Sequence, residues 1–458
     1  MELTRSWVAA VTGGDVIGPD AGASVGDGLA FDSRVLAPGE VFVALVDARD
    51  GHDFAADAIA RGAPFALVER PVPDVPAVRV PDTRRALADL ARAGRERLGA
   101  RVVAITGSVG KTSTKDLTAA ALRAGLAAHA APASFNNEIG VPVTVLGAPD
   151  TTEVLVVEMG ARFPDNIAEL CSLVAPEIGV ITNIGMTHAE HLGGPEGVAE
   201  VKGELLDALP THGLAVLWAE CDASAAQRAR SAAPVITVGS EAGTDVRISG
   251  LELDPELHAR FHLATPWGSG HVVLGVRGAH MAVNAAQAAT VALHLGVSFD
   301  AVVGALAGSE VSGWRMRVDD TAQGVRVVND AYNASPVAVL AALDALAALP
   351  ASGRRIAVLG EMRELGRFAE SEHARMGEAV ADRPVDVLVA VGAATDPLVT
   401  AAVARRPGLE VHRAADAPAA AELVGGLARP GDVVLVKASR AVGLELVAAT
   451  LLGEGALA

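Results

Sequence analysis

The sequence predicts an α/β protein of three domains, and three observations carry that expectation. A chain of 458 residues exceeds what a single hydrophobic core serves. From Arg101 onward, short apolar runs alternate with amphipathic or Ala/Leu-rich stretches, and the alternation restarts near Trp314. Strands buried on both faces and separated by helices make parallel sheets. The run "RVVAIT" then leads through glycines into a helical stretch, "GSVGKTSTKDLTAAAL", as a strand–loop–helix unit does.

Taken in order, residues 1–99 read as a small α/β domain. Turn-rich β segments such as "GEVFVALV" come first, then "DFAADAIARGAPFALVE", a helix leading to a strand, then the helical "TRRALADLARAGRERL". Residues 100–311 form a central domain on the buried strands "RVVAIT", "EVLVVEM", "IGVITNIG" and "LAVLWA". Residues 312–458 carry "GVRVVND", "RRIAVLG", "VDVLVAVG" and "DVVLVKAS", each followed by a helix, a Rossmann-like pattern.

Composition narrows the function. The hydrophobic fraction of 51% is inflated by alanine, and no long stretch is free of charge, so no membrane span is expected. The opening "MELTRSWVAAVTGGD" lacks the features of a secretory leader, and Cys171 and Cys221 stand in no motif spacing. A cytoplasmic monomer is expected. A net charge of -18 argues against nucleic acid as partner. An anionic ligand must be held by local groups.

The loop Thr106, Gly107, Ser108, Val109, Gly110, Lys111, Thr112 and Ser113 supplies such groups. Backbone N–H groups and a helix N-terminus favour phosphate, a lysine reaches the outer phosphates, and a threonine hydroxyl faces Mg²⁺. Two residues separate its glycines where the general phosphate loop has four. Glu158 ends the strand "EVLVVEM" and His188 follows "IGVITNIG", so both arrive at the sheet edge where the loop sits. Each is a candidate site residue and Glu158 a candidate metal ligand. By residue type alone, Lys202 in "PEGVAEVKGELLDAL" reads as a solvated helical lysine paired with Glu200 or Glu204.

The segments "FDSR", "PGEVFVAL", "DGHDF", "TGSVGKTSTKD", "SFNNEIGVPVT", "VVEMGA", "TNIGMTHAEHLG", "VKGEL", "GAHMAVNA", "DAYNASP", "VLGEMRELG" and "VLVKASR" occur in one order along nearly the whole chain. In that order they resemble the Mur ligases, and within them the branch that extends a UDP-N-acetylmuramoyl-tripeptide with D-alanyl-D-alanine, completing the precursor of peptidoglycan. The resemblance implies an ATP-dependent, ADP-forming ligase with Mg²⁺. It implies metal ligation by Thr112, Glu158 and His188, and by a carbamylated Lys202. It places Asn284 near adenine, with Arg315, Asp330, Tyr332 and Asn333 closing the nucleotide site from the C-terminal domain. It assigns Asp32, Ser33 and Arg34 to the uridine diphosphate end, Asn136 and Asn137 to nucleotide and substrate, and Lys437 and Ser439 to the incoming dipeptide. Met281 stands where many relatives carry asparagine.

The chemistry runs alongside. Amide synthesis needs a carboxylate oxygen made into a leaving group, which γ-phosphoryl transfer does by forming an acyl phosphate. Carboxylate and triphosphate are both anionic, so Lys111 and a divalent cation between them lower the barrier. Another ADP-forming ligase of the Mur and folylpolyglutamate synthase superfamily, a simple phosphate-loop ATPase and a non-catalytic precursor-binding regulator are the alternatives.

Overall fold

The computed structural model describes residues 1–18, 25–313 and 315–454; Trp314 and residues 455–458 lie outside them. It is α/β, with sheets of five, nine and six strands in chain order and a two-stranded ribbon near the start.

The five-stranded sheet runs Asp15–Ile17, Ala77–Arg79, Ala66–Val68, Val41–Val43, Leu29–Ala30, parallel except for its first pair. Phe65, Leu67 and Val78 face Leu87 and Leu90 of the helix Thr83–Leu98. Leu87, Leu90, Ala91 and Gly94 are buried at spacings of three and four, one helical face. Asp82 caps that helix by accepting from the Arg84 and Arg85 N–H groups, and Gly99 ends it in the left-handed conformation.

In the nine-stranded sheet the strand Arg101–Thr106 sits between Ile178–Ile181 and Val154–Glu158, all parallel. Its alternate residues serve two cores. Val103 and Ile105 pack with Leu117 and Ala285, while Val102 and Ala104 pack with Leu170 and Leu205. Period-two burial thus clamps the strand between helices on both faces. The far side differs from the plain βα alternation. After Val246–Leu253, the strands His258–Thr265 and Gly268–Arg277 return antiparallel as a meander. Their faces alternate buried and open, so "ELHARFHLATPWGSGHVVLGV" lacks the apolar run of a doubly covered strand.

The six-stranded sheet runs Arg317–Asp320, Arg326–Asn329, Val433–Lys437, Arg355–Gly360, Val387–Val391, Glu410–Ala414, parallel after its first antiparallel pair. Helices cover both faces, Pro336–Ala348 and Ala369–Ala381 on one, Ala417–Leu427 and Glu445–Leu452 on the other. Among the described residues no helix is long and apolar enough to cross a membrane.

Candidate active site

Three neighbouring parallel strands deliver Thr106, Glu158 and Ile181 to one sheet edge. The loop after the middle strand is fixed by the loop after Ile181. Asn183 accepts from the Val109 N–H at 3.0 Å and donates to the Val109 carbonyl at 2.9 Å, and Thr182 Oγ1 donates to the same carbonyl at 2.6 Å. Ser108 Oγ accepts from the Gly185 N–H at 2.9 Å. At Gly107, φ is 142°, and a Cβ there would stand 2.0 Å from Thr182 Oγ1, so only glycine fits. No side chain caps the helix Lys111–Arg123 that follows. Its first N–H groups are left for an anion.

Lys111 folds back on its loop, Nζ donating to the Gly107 and Ser108 carbonyls at 2.7 and 3.2 Å. Burial lowers its pKa, Glu158 opposing and Arg315 adding to the effect. Thr112 Oγ1 donates to Ser134 Oγ at 3.3 Å, and Ser134 donates in turn to Glu158 Oε1 at 2.7 Å. Asn136 Nδ2 donates to the same oxygen at 2.7 Å. Glu158 is buried, and its Oε2 has no protein partner among the described residues. A bare carboxylate oxygen in the pocket that holds the Thr112 hydroxyl is hard oxygen chemistry of the kind Mg²⁺ takes. No group of three His, Cys, Asp or Glu that could hold a metal occurs among the described residues. That set suits a cation sharing its shell with phosphate and water.

The C-terminal domain closes the other side. Arg315 lies 3.9 Å over the Tyr332 ring, with Nη2 donating to Thr112 Oγ1 at 3.2 Å and Nη1 to the Ser312 carbonyl at 2.6 Å. Ring and carbonyl hold the guanidinium in place. Asp330 accepts from Lys437 Nζ at 2.5 Å and from the Met316 N–H at 3.2 Å, and Lys437 also donates to the Asn333 carbonyl at 3.0 Å. Ser439 Oγ accepts from the Arg363 N–H at 2.9 Å.

One cavity of about 890 Å³ joins these groups: Ser108 to Ser113, Asn136, Asn137, Glu158, His188, Asn284, Arg315, Asp330, Tyr332, Asn333 and Ser439 all line it. Thr106 and Gly107 stand behind it, Thr106 Oγ1 donating to the Met159 carbonyl at 2.8 Å. Met281 contacts Asn284 Nδ2 through its sulfur at 3.6 Å, filling the position with an apolar partner. Asn137 Oδ1 accepts from the Gly140 N–H at 2.9 Å, so it shapes its turn as well as lining the cavity. His191 stacks on Phe163 at 5.6 Å instead of joining His188.

Lys202 overturns the solvated-lysine reading. It is 1% exposed, and no hydrogen bond or ion pair among the described residues engages it. Its expected partners are occupied elsewhere: Glu204 accepts from the Asp165 and Ala168 N–H groups, and Glu200 pairs with Arg230 at 3.1 Å. Burial, with Lys111 nearby, lowers its pKa to about 7, Glu204 opposing.

Asp32, Ser33 and Arg34 do not line the cavity. Arg34, 72% exposed, forks onto Asp32 at 2.9 and 2.7 Å, and that bond chiefly holds the carboxyl at about 2. The adjacent Phe31 ring stands 6.1 Å from Phe135, which precedes Asn136. In "DGHDF" the buried His52 clamps the fold: Nδ1 meets Asp50 at 2.5 Å and Nε2 accepts from the Glu69 N–H at 2.8 Å. Thr182, Asn183, Ser134 and Glu364 also line the cavity and were missed by sequence reasoning, whereas Lys437 in "LVKASR" was read from the sequence as lying near the incoming dipeptide. The quoted segments "TNIG" and "MRELG" were the signal available for most of those missed.

A phosphate loop on one α/β domain, faced across the cleft by a guanidinium from the next, is the kind of site that holds a nucleotide's phosphates. Residues 105–292 match the Mur ligase middle domain and residues 314–440 the Mur ligase glutamate ligase domain. The chain is 40% identical to the UDP-N-acetylmuramoyl-tripeptide–D-alanyl-D-alanine ligase of Mycobacterium leprae, over 100% of this chain and 99% of that one. It is also similar to the crystal structure of MurF from Acinetobacter baumannii, with a TM-score of 0.86, 29% identity and 99% of each chain covered. MurF ligase from Thermotoga maritima in complex with ADP gives a TM-score of 0.77 at 28% identity, over 93% of this chain and 97% of that one. The chain belongs to the Mur ligase family.

Proposed function

We propose that the protein joins D-alanyl-D-alanine to UDP-N-acetylmuramoyl-tripeptide, converting ATP to ADP and phosphate and yielding the UDP-muramoyl-pentapeptide precursor of peptidoglycan. The observation that carries this is the single cleft in which the phosphate loop, the half-free Glu158 and Arg315 meet. Full-length similarity to ligases of that name supports the substrate pair. The N-terminal sheet, which a folylpolyglutamate synthase lacks, favours the muramoyl reading.

In this reading the loop N–H groups and Lys111 hold the β and γ phosphates, while Arg315 covers them from the opposite wall. A tripeptide carboxylate oxygen attacks the γ-phosphorus and ADP leaves, giving an acyl phosphate. The dipeptide's neutral amine then adds to the acyl carbon, expels phosphate and loses a proton. Mg²⁺ held by Thr112, Glu158, His188 and a carbamylated Lys202 would neutralise charge between the reacting anions. Lys202 suits that modification because burial lowers its pKa to about 7, so a substantial share of the amine is neutral near neutral pH, the form to which carbon dioxide adds. Asn284 is assigned to adenine, Asp330, Tyr332 and Asn333 to the rest of the nucleotide, and Asn136, Asn137 and Ser439 to the peptides. Asp32, Ser33 and Arg34 are assigned to the uridine diphosphate, outside the cavity but one aromatic contact from it. The domain limits 1–99, 100–311 and 312–458, the monomeric state and the cytoplasmic location belong to the same reading. The domain limits fall in the breaks between the sheets.

Phosphate release is measured with ATP, the UDP-muramoyl tripeptide and D-alanyl-D-alanine, each omitted in turn. Turnover that needs all three is the expected result. Release undiminished without the dipeptide would reduce the protein to an ATPase.

A further inference from the structure

His188 does not stand alone at the cleft. Its Nδ1 is in contact with Oε2 of Glu364, a residue of the C-terminal domain in the loop after the strand Arg355–Gly360. That loop meets the central domain at further points, on the His188 loop and on the segment after Val154–Glu158. The Glu190 N–H donates to the Glu364 carbonyl at 3.2 Å, and Arg162 stands 3.8 Å from Glu364 Oε1. Gly366 passes so near that a Cβ on it would lie 3.1 Å from Glu190 Cα. Both members of the pair hold an uncommon backbone: φ is 61° at His188 and 62° at Glu364. Non-glycine residues keep the left-handed conformation where surrounding contacts over-determine it, and such strain gathers at functional sites.

We propose that Glu364 is a positioning residue that orients His188 for the reaction, and that it does so only while the C-terminal domain is docked. The pair is an ion-pair contact without the alignment of a hydrogen bond, and the negative charge beside Nδ1 favours the tautomer protonated there, leaving Nε2 as the nitrogen with a free lone pair. The orienting group comes from a different domain than the imidazole. Closure of the domain and readiness of the histidine are therefore one event, and the site is not assembled while the domains stand apart. The inference rests on His188 being a site residue, as proposed above.

The test uses the full-length protein and four variants: H188A, E364A, E364Q and the double variant H188A/E364A. Removing an orienting carboxylate typically costs ~10–100-fold in activity. E364A should lose that much in kcat, with KM for the muramoyl tripeptide little changed. E364Q, which keeps an oxygen able to accept from Nδ1–H, should retain more. In the H188A background, adding E364A should bring no further loss, because Glu364 acts through the histidine. Nitrogen-15 spectra of histidine-labelled protein, with the His188 signal identified by its disappearance in H188A, should show the Nδ1-protonated tautomer in the parent and its loss in E364A. Parental turnover in H188A would sink the site reading and this inference with it. An inactive H188A beside a fully active E364A, or an E364A loss undiminished in the H188A background, would overturn the inference alone. An unchanged tautomer in E364A would do the same.

Discussion

Lys111 and Lys202 are the same residue type in unlike surroundings, the first bonded to its own loop and the second buried beyond the reach of its helix's glutamates. The Lys111 ammonium is spent on its own loop's carbonyls, and a phosphate entering the cleft offers it a stronger, charged partner in exchange. Lys111→Ala should therefore lower kcat by at least ~10²–10³ while leaving muramoyl tripeptide affinity, measured by calorimetry, nearly unchanged. A matching loss of peptide affinity would mean that the lysine serves the wrong substrate. Lys202 is buried and has no hydrogen-bond or ion-pair partner among the described residues, and burial lowers its pKa from 10.5 to about 7. Between those values the unfolded chain binds more protons than the folded one, so stability must rise with pH across that window. In buffer stripped of carbon dioxide, the parent's urea midpoint should climb from pH 7 to pH 9 relative to Lys202→Met. Parallel profiles would show that the ammonium is not buried in solution. Methionine is the apt replacement because the side chain fills packed space, which alanine would leave as a cavity.

At the scale of elements, the phosphate-loop helix does more than end at a phosphate. Two adjacent residues on it reach in different directions. Lys115, buried, pairs with Asp116 at 2.9 Å and donates to the Ala133 carbonyl at 3.2 Å, anchoring the loop that presents Ser134 and Asn136 to Glu158. Asp116 Oδ2 accepts from both the N–H and the hydroxyl of Ser312 at 2.8 Å, and the Ser312 carbonyl in turn holds Arg315. Asp116→Ala should cost about 3–5 kcal/mol in urea unfolding, since it strips a buried lysine of its counter-charge, and it should also raise KM for ATP by releasing Arg315. Lost stability with unaltered ATP kinetics would confine Asp116 to the helix. Such couplings were not legible in "KTSTKDL", although the helix itself was. Valine-rich runs flanked by glycine announce doubly covered parallel strands, so the phosphate loop and its neighbours could be placed from sequence. The meander after Val246 could not, because its strands are half exposed and broken by glycine and charge. The burial of Lys202 was equally hidden: its helix shows glutamates within reach, and only the fold reveals that they are engaged by other groups.

For the whole molecule, Arg315 on Thr112, Glu364 on His188 and Ser312 on Asp116 tie the C-terminal domain across the cleft. Apolar contacts add to these bonds, Leu257, Met186 and Leu253 packing with the C-terminal core and Phe368 with the central one, and ligands that fill the cleft are expected to tighten that interface. ATP with the muramoyl tripeptide should lower the radius of gyration in small-angle scattering relative to the free protein, and superimposable curves would mean that the interface does not tighten. The cleft also draws on residues scattered over most of the chain, and that has a bearing on its birth at the ribosome. Lys111 emerges more than 300 residues before Lys437. At a synthesis rate of roughly 5–20 residues per second, the phosphate loop waits about 15–65 s for the strand that completes its far wall. Throughout that interval the nascent chain carries the phosphate loop without the wall that Asp330, Lys437 and Ser439 later supply to the cavity.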